Sequence, residues 1–224
     1  MATLAALDPW RVLVVDDSDG GLDLDVPRVR LGGGRGFAKA ANAGLAAVAT
    51  PWAVLLNDDA VPEADCLDRL AHHGGLCGPV LHGPRGVESA GLRVTGWGRV
   101  VQRTDVPVAD RPVDALSGAC LHLGAHLRFD ERFPHGFEDV ELCRRVGGAR
   151  LVAGARAWHA GGATLGRRTP EATEKAVVGQ ALLFAPGWRR GVVAALHVGQ
   201  VVREGGPWAR LPAIVAGLRA AGKA

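Results

Sequence analysis

Residues 53–62 read AVLLNDDAVP. Four apolar residues run directly into Asn57, Asp58 and Asp59, and Pro62 closes the stretch. A short apolar run bounded by turn residues marks an interior strand. Two neighbouring carboxylates at its carboxyl end repel each other, and a cation would relieve that repulsion. A solvated turn that uses Asn and Asp for their side-chain hydrogen bonds accounts for the same residues.

The segments around this strand set the fold class. Arg11–Val15 is a β-branched run that ends in the turn Asp16-Asp17-Ser18-Asp19-Gly20, and Val26–Leu31 is a second short strand. After GGGRG, the residues Phe37, Ala41, Leu45 and Val48 recur at helical spacing until Pro51. Glu63–His72 follows Pro62 as a helix, and Leu76–Val80 is a further strand. Strands alternating with helices predict an α/β sheet covered by helices. Residues 82–116 mix Val, Arg and Thr with Gly and Pro and read as hairpins and loops. Ala119–Leu123 is another strand. FEDVELCRRV then puts Val140, Cys143 and Val146 on one helical face, with Glu138, Asp139 and Glu141 in its first turn. Arg150–Gly154 is a late strand, WHAGGAT a Gly-rich turn after it, and from Pro170 onward the chain reads as helices with basic faces.

Bulk properties exclude several classes. With 224 residues the chain holds one large domain, or a domain and an appendage. A net charge of +3 is too small to argue for a nucleic-acid partner. Cys66, Cys77, Cys120 and Cys143 are widely spaced with no CxxC pair, which predicts buried thiols in a reducing compartment rather than a zinc ribbon. No charged-then-apolar leader is present and no apolar run nears the roughly 18 residues of a membrane span, so a cytoplasmic protein is expected.

Asp58/Asp59, Glu138/Asp139 and His159 each fall at a strand end or a helix start. In open α/β sheets ligands bind beyond the carboxyl ends of the strands, so three such groups on one rim are more informative than any one of them. Taken in order, VVDDSDGG (Val14–Gly21), GRGFAKAANAG (Gly34–Gly44), LLNDDA, LSGACLHL (Leu116–Leu123), FDERF, FEDVELCRR and RLVAGARAWHAGGAT (Arg150–Thr164) resemble the inverting family 2 glycosyltransferases of the GT-A fold, especially their rhamnosyltransferase-like branch. The resemblance spans about residues 11–165, roughly two-thirds of the chain.

That resemblance implies a GT-A-like, mostly parallel sheet flanked by helices over residues 1–165, and a basic helical appendage over 166–224. It implies transfer of a sugar from a nucleoside-diphosphate donor (a UDP- or dTDP-sugar) to an acceptor hydroxyl on a glycan, a lipid-linked molecule or a small molecule. The ion would be Mg²⁺ or Mn²⁺, since an oxygen-rich site with one imidazole suits these better than zinc. Asp59 would bind it directly, His159 would complete its shell, and Asp58 and Asn57 would act through water or the ribose. Asp139 would be the general base of a single displacement, with Glu138 raising its pKa by like-charge repulsion. Helix-dipole compensation is the plainer role for Glu138, Asp139 and Glu141. Asp16 or Asp17 would take the pyrimidine N–H, or serve only as turn residues. Arg35 and Lys39 would meet phosphate at a helix start, or lie on a solvated face. A homodimer is allowed, and a membrane surface is not expected as a partner.

The chain departs from the family at its start. Only about ten residues precede the VVDD strand, so the usual first strand and most of the first helix are missing, and TLAALDPW resembles the tail of that helix. Residues 11–15 are therefore expected to pair directly with residues 53–56. His122 and His126 are discounted as a zinc pair because a strand separates them. The competing reading is a non-catalytic GT-A-like domain that binds a nucleotide or a partner.

Overall fold

The computed structural model describes Leu7 and residues 10–96, 99–133, 136–160, 169–184, 189–203 and 208–223. The Gly161–Gly162 turn, most of TLAALDPW and Trp188 lie outside the described residues.

Strands β1 (Val14–Asp16) and β2 (Arg28–Arg30) pair in parallel as a small sheet of their own. Helix α1 (Phe37–Ala47) follows, with Ala38, Ala41 and Leu45 buried at the spacing read from the sequence. It packs on β1 so closely that a Cβ at Gly44 would lie 2.8 Å from Val15 Cγ2. Then come β3 (Trp52–Leu56), β4 (Ala60–Pro62), α2 (Cys66–His73), β5 (Cys77–Gly83), β6 (Gly86–Ser89), β7 (Leu92–Val94), β8 (Val100–Gln102), β9 (Arg111–Val113), β10 (Cys120–Gly124), α3 (Glu138–Arg145) and β11 (Ala149–His159). Helices α4 (Pro170–Phe184), α5 (Arg189–Arg203) and α6 (Leu211–Ala221) complete the chain. No helix among the described residues is long and apolar enough to cross a membrane.

The main sheet runs β3-β10-β5-β11-β4, with β6 added to β5 and β9 to β11. The expected α/β layout is met, but within this sheet the strands are mixed rather than mostly parallel. Only β5 and β11 run parallel, while β10 is antiparallel to β3 and β5, and β11 is antiparallel to β4 and β9. Of this sheet's antiparallel pairs only β5–β6 is a hairpin; the others join strands distant in the chain, because β10 enters between β3 and β5 against both, and β4 and β9 flank β11 in the reverse direction.

The direct pairing expected between residues 11–15 and 53–56 does not form. The ladder of Val14–Asp16 is taken up by Arg28–Arg30, and that of Trp52–Leu56 by Cys120–Gly124. α1 spans the two instead, touching Val15 through Gly44 and sharing the apolar core to which Ala53 and Leu55 belong.

One core lies between the sheet, α1 and α3, with Leu121, Leu123, Leu142 and Leu151 fully buried. A second lies under α2 and contains Cys66, Cys77 and Cys120. All four cysteines are free and buried, as the sequence predicts, and burial pushes the Cys77 thiol up to about 12. A third joins α4, α5 and α6 through Val177, Val193, Val201 and Ile214.

Candidate active site

Asn57, Asp58 and Asp59 form the turn between β3 and β4. β3 ends at Leu56 against Cys120, and one step further the Asn57 N–H donates to the Ala119 carbonyl at 2.9 Å. The chain then turns on a second bond, from the Ala60 N–H to the Asn57 carbonyl. Asp58 is exposed and Asp59 is partly buried. β11 reaches the same turn from the other side. Its pairing with β4 sets His159 opposite Ala60, and the Ala160 N–H donates to the Asp59 carbonyl at 3.0 Å. His159 is thus the last residue of an eleven-residue strand rather than part of a Gly-rich turn.

The imidazole of His159 lies between two carboxylates. Its Nε2 is 3.2 Å from Asp59 Oδ1 and its Nδ1 is 2.9 Å from Glu88 Oε2. Two ligand atoms at right angles on one ion, each about 2.1 Å from it, stand about 3 Å apart, so Asp59 and His159 have the spacing of adjacent ligands. Glu88 is behind the ring, and among the described residues no group of three acidic, imidazole or thiol side chains surrounds one point. A cation here could be held by Asp59 and His159 as a pair, with its other positions open to other oxygen donors.

The second acidic pair opens α3. Its N-cap is Phe137, the one described non-glycine residue with positive φ, at 72°. Asp139 is anchored through both oxygens: Oδ2 accepts the Gly118 N–H at 2.9 Å and Oδ1 the Val140 N–H at 2.8 Å. The approach needs a glycine at 118, where a Cβ would already be 3.0 Å from Phe37 and 3.6 Å from Asp139 Cβ. Asp139 keeps some surface toward solvent while protein encloses its carboxylate, and this burial raises its pKa against the lowering effect of the two N–H donors. Glu138 is 7% exposed, and its Oε2 has no hydrogen-bond partner among the described residues. Burial first, and then the Asp139 charge, push it up to about 8. The rise expected at Asp139 comes from burial rather than from Glu138, whereas the Asp139 charge adds to the rise at Glu138.

The two ends are tied through two adjacent residues. Gly118 donates to Asp139, and its neighbour Ala119 accepts from Asn57.

No protein-family model matches the chain, and no curated protein matches it by sequence. Solved structures do match in shape. TarS 1–349 of S. aureus superposes with a TM-score of 0.53 at 16% identity, over 90% of this chain and 66% of that one. The fold is GT-A. A TarS 1–349 structure in complex with UDP-GlcNAc gives 0.51 at 15% identity, over 90% of this chain and 67% of that one. GalNAc-T7 with UDP, GalNAc and Mn²⁺ gives 0.51 at 12% identity, over 66% of this chain. The chain spans 37% of the length of that GalNAc-T7 structure.

Within this GT-A chain the residues singled out from the sequence fall into two groups. Asn57, Asp59, His159 and Asp139 are linked as described. Asp16, Asp17, Arg35 and Lys39 belong to the loop around β1, β2 and the start of α1. Asp16 is almost fully buried and holds its own turn, accepting from the Ser18 hydroxyl and N–H and from the Leu22 N–H, which keeps its pKa low. Asp17 accepts the Arg35 and Gly36 N–H groups and so caps α1 from a distance. Arg35 and Lys39 are exposed. His122 is buried in β10 with Nδ1 2.7 Å from the Gly75 carbonyl oxygen, and His126 lies past the end of that strand. Asn42 clamps the 129–131 segment, donating to the Phe129 carbonyl and Glu131 and accepting the Phe129 N–H. Sequence reasoning passed over Glu88 and Gly118. The signal for Gly118 was present in the LSGA motif, but the 82–116 stretch gave no apolar alternation to mark the strand that carries Glu88.

Proposed function

We propose that the chain is a metal-dependent inverting glycosyltransferase of the family 2, rhamnosyltransferase-like type. It would use a UDP- or dTDP-sugar and an acceptor hydroxyl, with residues 1–165 as the donor and acceptor domain and 166–224 as a helical appendage. The observation that carries this reading is the 118–119 link, which ties a buried, pKa-raised Asp139 to the turn where Asp59 meets His159.

Asp139 is suited to the base role. Each of its oxygens accepts one backbone N–H and retains a second lone pair for a substrate proton. A raised pKa brings its basicity closer to neutral pH, where a general base works best. Burial also raises Glu138, which disfavours a second negative charge beside Asp139. In the displacement the acceptor oxygen bonds to the anomeric carbon as the bond to the diphosphate oxygen breaks. The hydroxyl proton passes to Asp139, and the electron pair leaves with the nucleoside diphosphate. A divalent cation held by Asp59 and His159 would neutralise charge on that leaving group. UDP is the first nucleotide to try, since structures of the same fold contain UDP or UDP-GlcNAc. Asp16 and Asp17 would shape the base-binding loop through the backbone bonds they already make, and Arg35 and Lys39 would face the phosphates.

Calorimetry with UDP, dTDP and GDP, each with and without Mn²⁺, tests this reading. Binding of UDP or dTDP that tightens with Mn²⁺ is the expected result. Failure to bind any of the three would sink the transferase reading and favour a non-catalytic, partner-binding domain.

A further inference from the structure

Glu88 owes its position to an irregularity. Where β6 folds back on β5, Leu81 pairs with Ser89 but His82 pairs with Val87, so Glu88 is one residue too many on its strand. Such a bulge re-aims the side chain of the extra residue and is frequent beside active sites. On the other flank of β5, β11 pairs Trp158 with His82 and carries His159 next. Gly83 lies between the two flanks. A Cβ there would stand 3.4 Å from the His159 carbonyl oxygen and 3.6 Å from Glu88 Oε2, so Gly83 runs alongside both residues.

We propose that Glu88 is a positioning residue that holds His159 with its Nε2 toward Asp59 and the cation. The inference rests on the metal-dependent reading given above. An ionised carboxylate only accepts hydrogen bonds, so at 2.9 Å from Glu88 Oε2 the Nδ1 atom carries the proton. Nε2 also faces a carboxylate, 3.2 Å from Asp59 Oδ1, and a bound cation would take the place of a proton between the two, with Nε2 as the ligating atom. The same bond fixes the plane of the ring, which β11 alone would leave free to turn about its side-chain torsions. Partners behind a ligating histidine commonly work in this way.

The test is Mn²⁺ binding by the whole chain in the presence of UDP, followed through the free-ion signal in electron paramagnetic resonance. Glu88→Ala and Glu88→Met both remove the acceptor; one leaves a gap and the other fills it, so a folding defect in the first is separated from loss of the bond. Each is expected to weaken Mn²⁺ binding about 10- to 100-fold, the usual range for such partners. UDP affinity without Mn²⁺ should stay at the parent value. Glu88→Gln keeps an amide oxygen that accepts from Nδ1, so it should recover most of the loss. Parent-like Mn²⁺ affinity in Glu88→Met overturns the proposal. So does a Glu88→Gln variant as weak as Glu88→Met, which would mean that charge and not orientation is what Glu88 supplies. A parent chain that binds UDP but no Mn²⁺ overturns the metal-dependent reading itself, and the role of Glu88 falls with it.

Discussion

Among the described residues, the side-chain partners that meet at the Asp59–His159 end come from the main sheet, whereas the Asp139 end leans on the carboxyl-terminal helices. Asp59 lies between β3 and β4, His159 closes β11, and Glu88 reaches across from β6. Asp139 instead starts α3 behind a left-handed Phe137, and α4 packs against that start. Gly179 faces the Gly136 carbonyl and the Phe137 ring, and Arg144 sits over the Phe184 ring at 5.2 Å. The first arrangement is fixed by ladder hydrogen bonds, the second by one helix seated on another. Damage to the helical region should therefore reach Asp139 before it reaches Asp59 and His159.

The sharpest break between the two ends comes from their own carboxylates. Asp59→Ala would remove one of the two proposed protein ligands, so both Mn²⁺-dependent nucleotide binding and transfer should vanish. Calorimetry with UDP checks this, and unchanged affinity in Mn²⁺ would remove Asp59 from the metal shell. Asp139→Asn should behave in the opposite manner. It keeps the side-chain shape and one acceptor oxygen but cannot take a proton. Transfer should fall by about 10² to 10⁴, the usual worth of a general base, while UDP affinity holds. A variant that turns over like the parent would make Asp139 a helix-capping acid.

The contrast between the ends also explains what could be read in advance. Asp59, His159 and Asp139 were legible because each ends a strand or opens a helix, and such positions are marked by a change in apolar pattern. His159 was misplaced into a turn because β11 shifts register between Val152 and Arg156, which breaks the alternation that would have carried the strand on to residue 159. Glu88 was invisible for a related reason. A bulged residue on a short strand has no place in a period-two pattern, and its partner is 71 residues away. The base of α3 was legible as a residue but not as an environment. Nothing in FEDVELCRR announces that Glu138, an acid in a first turn, is enclosed with one oxygen that has no hydrogen-bond partner among the described residues.

That enclosure gives the Asp139 end a pH signature of its own. Glu138 has an ordinary pKa of 4.5, raised to about 8 in the fold. For an acid whose folded pKa is raised, the unfolded state releases its proton first. The contribution to stability is therefore full below pH 4.5 and is lost as pH climbs through about 8. The parent's melting temperature should decline across that window, and Glu138→Gln, which cannot ionise, should flatten the decline. Equal slopes in the two proteins would show that Glu138 does not titrate there. Because Glu138 and Asp139 titrate as a pair, Glu138→Gln should also shift the acid limb of the transfer rate, and the same comparison measures that shift.

The smallest effect expected tests the dependence on α4 directly. A Cβ at Gly179 would lie 2.7 Å from the Gly136 carbonyl oxygen and 2.8 Å from Phe137 Cδ2. Neither a backbone oxygen nor a residue already held at positive φ can step aside cheaply. Gly179→Ala should therefore displace α4 or the start of α3, at the roughly 1 to 3 kcal/mol typical of overpacking. Gly217→Ala is the matched control. Its Cβ would meet the Glu174 carbonyl oxygen and Val177 Cβ at 2.8 Å, so it crowds the α4–α6 contact without touching residues 136–137. Both variants should lower the melting temperature by a few degrees. Only Gly179→Ala should lower the transfer rate at saturating donor, by several-fold, with Mn²⁺ affinity unchanged in both. If the two variants slow transfer equally, the helices act through global stability alone. If Gly179→Ala weakens Mn²⁺ binding as well, the two ends are not supported separately and the 118–119 link transmits the disturbance from one to the other.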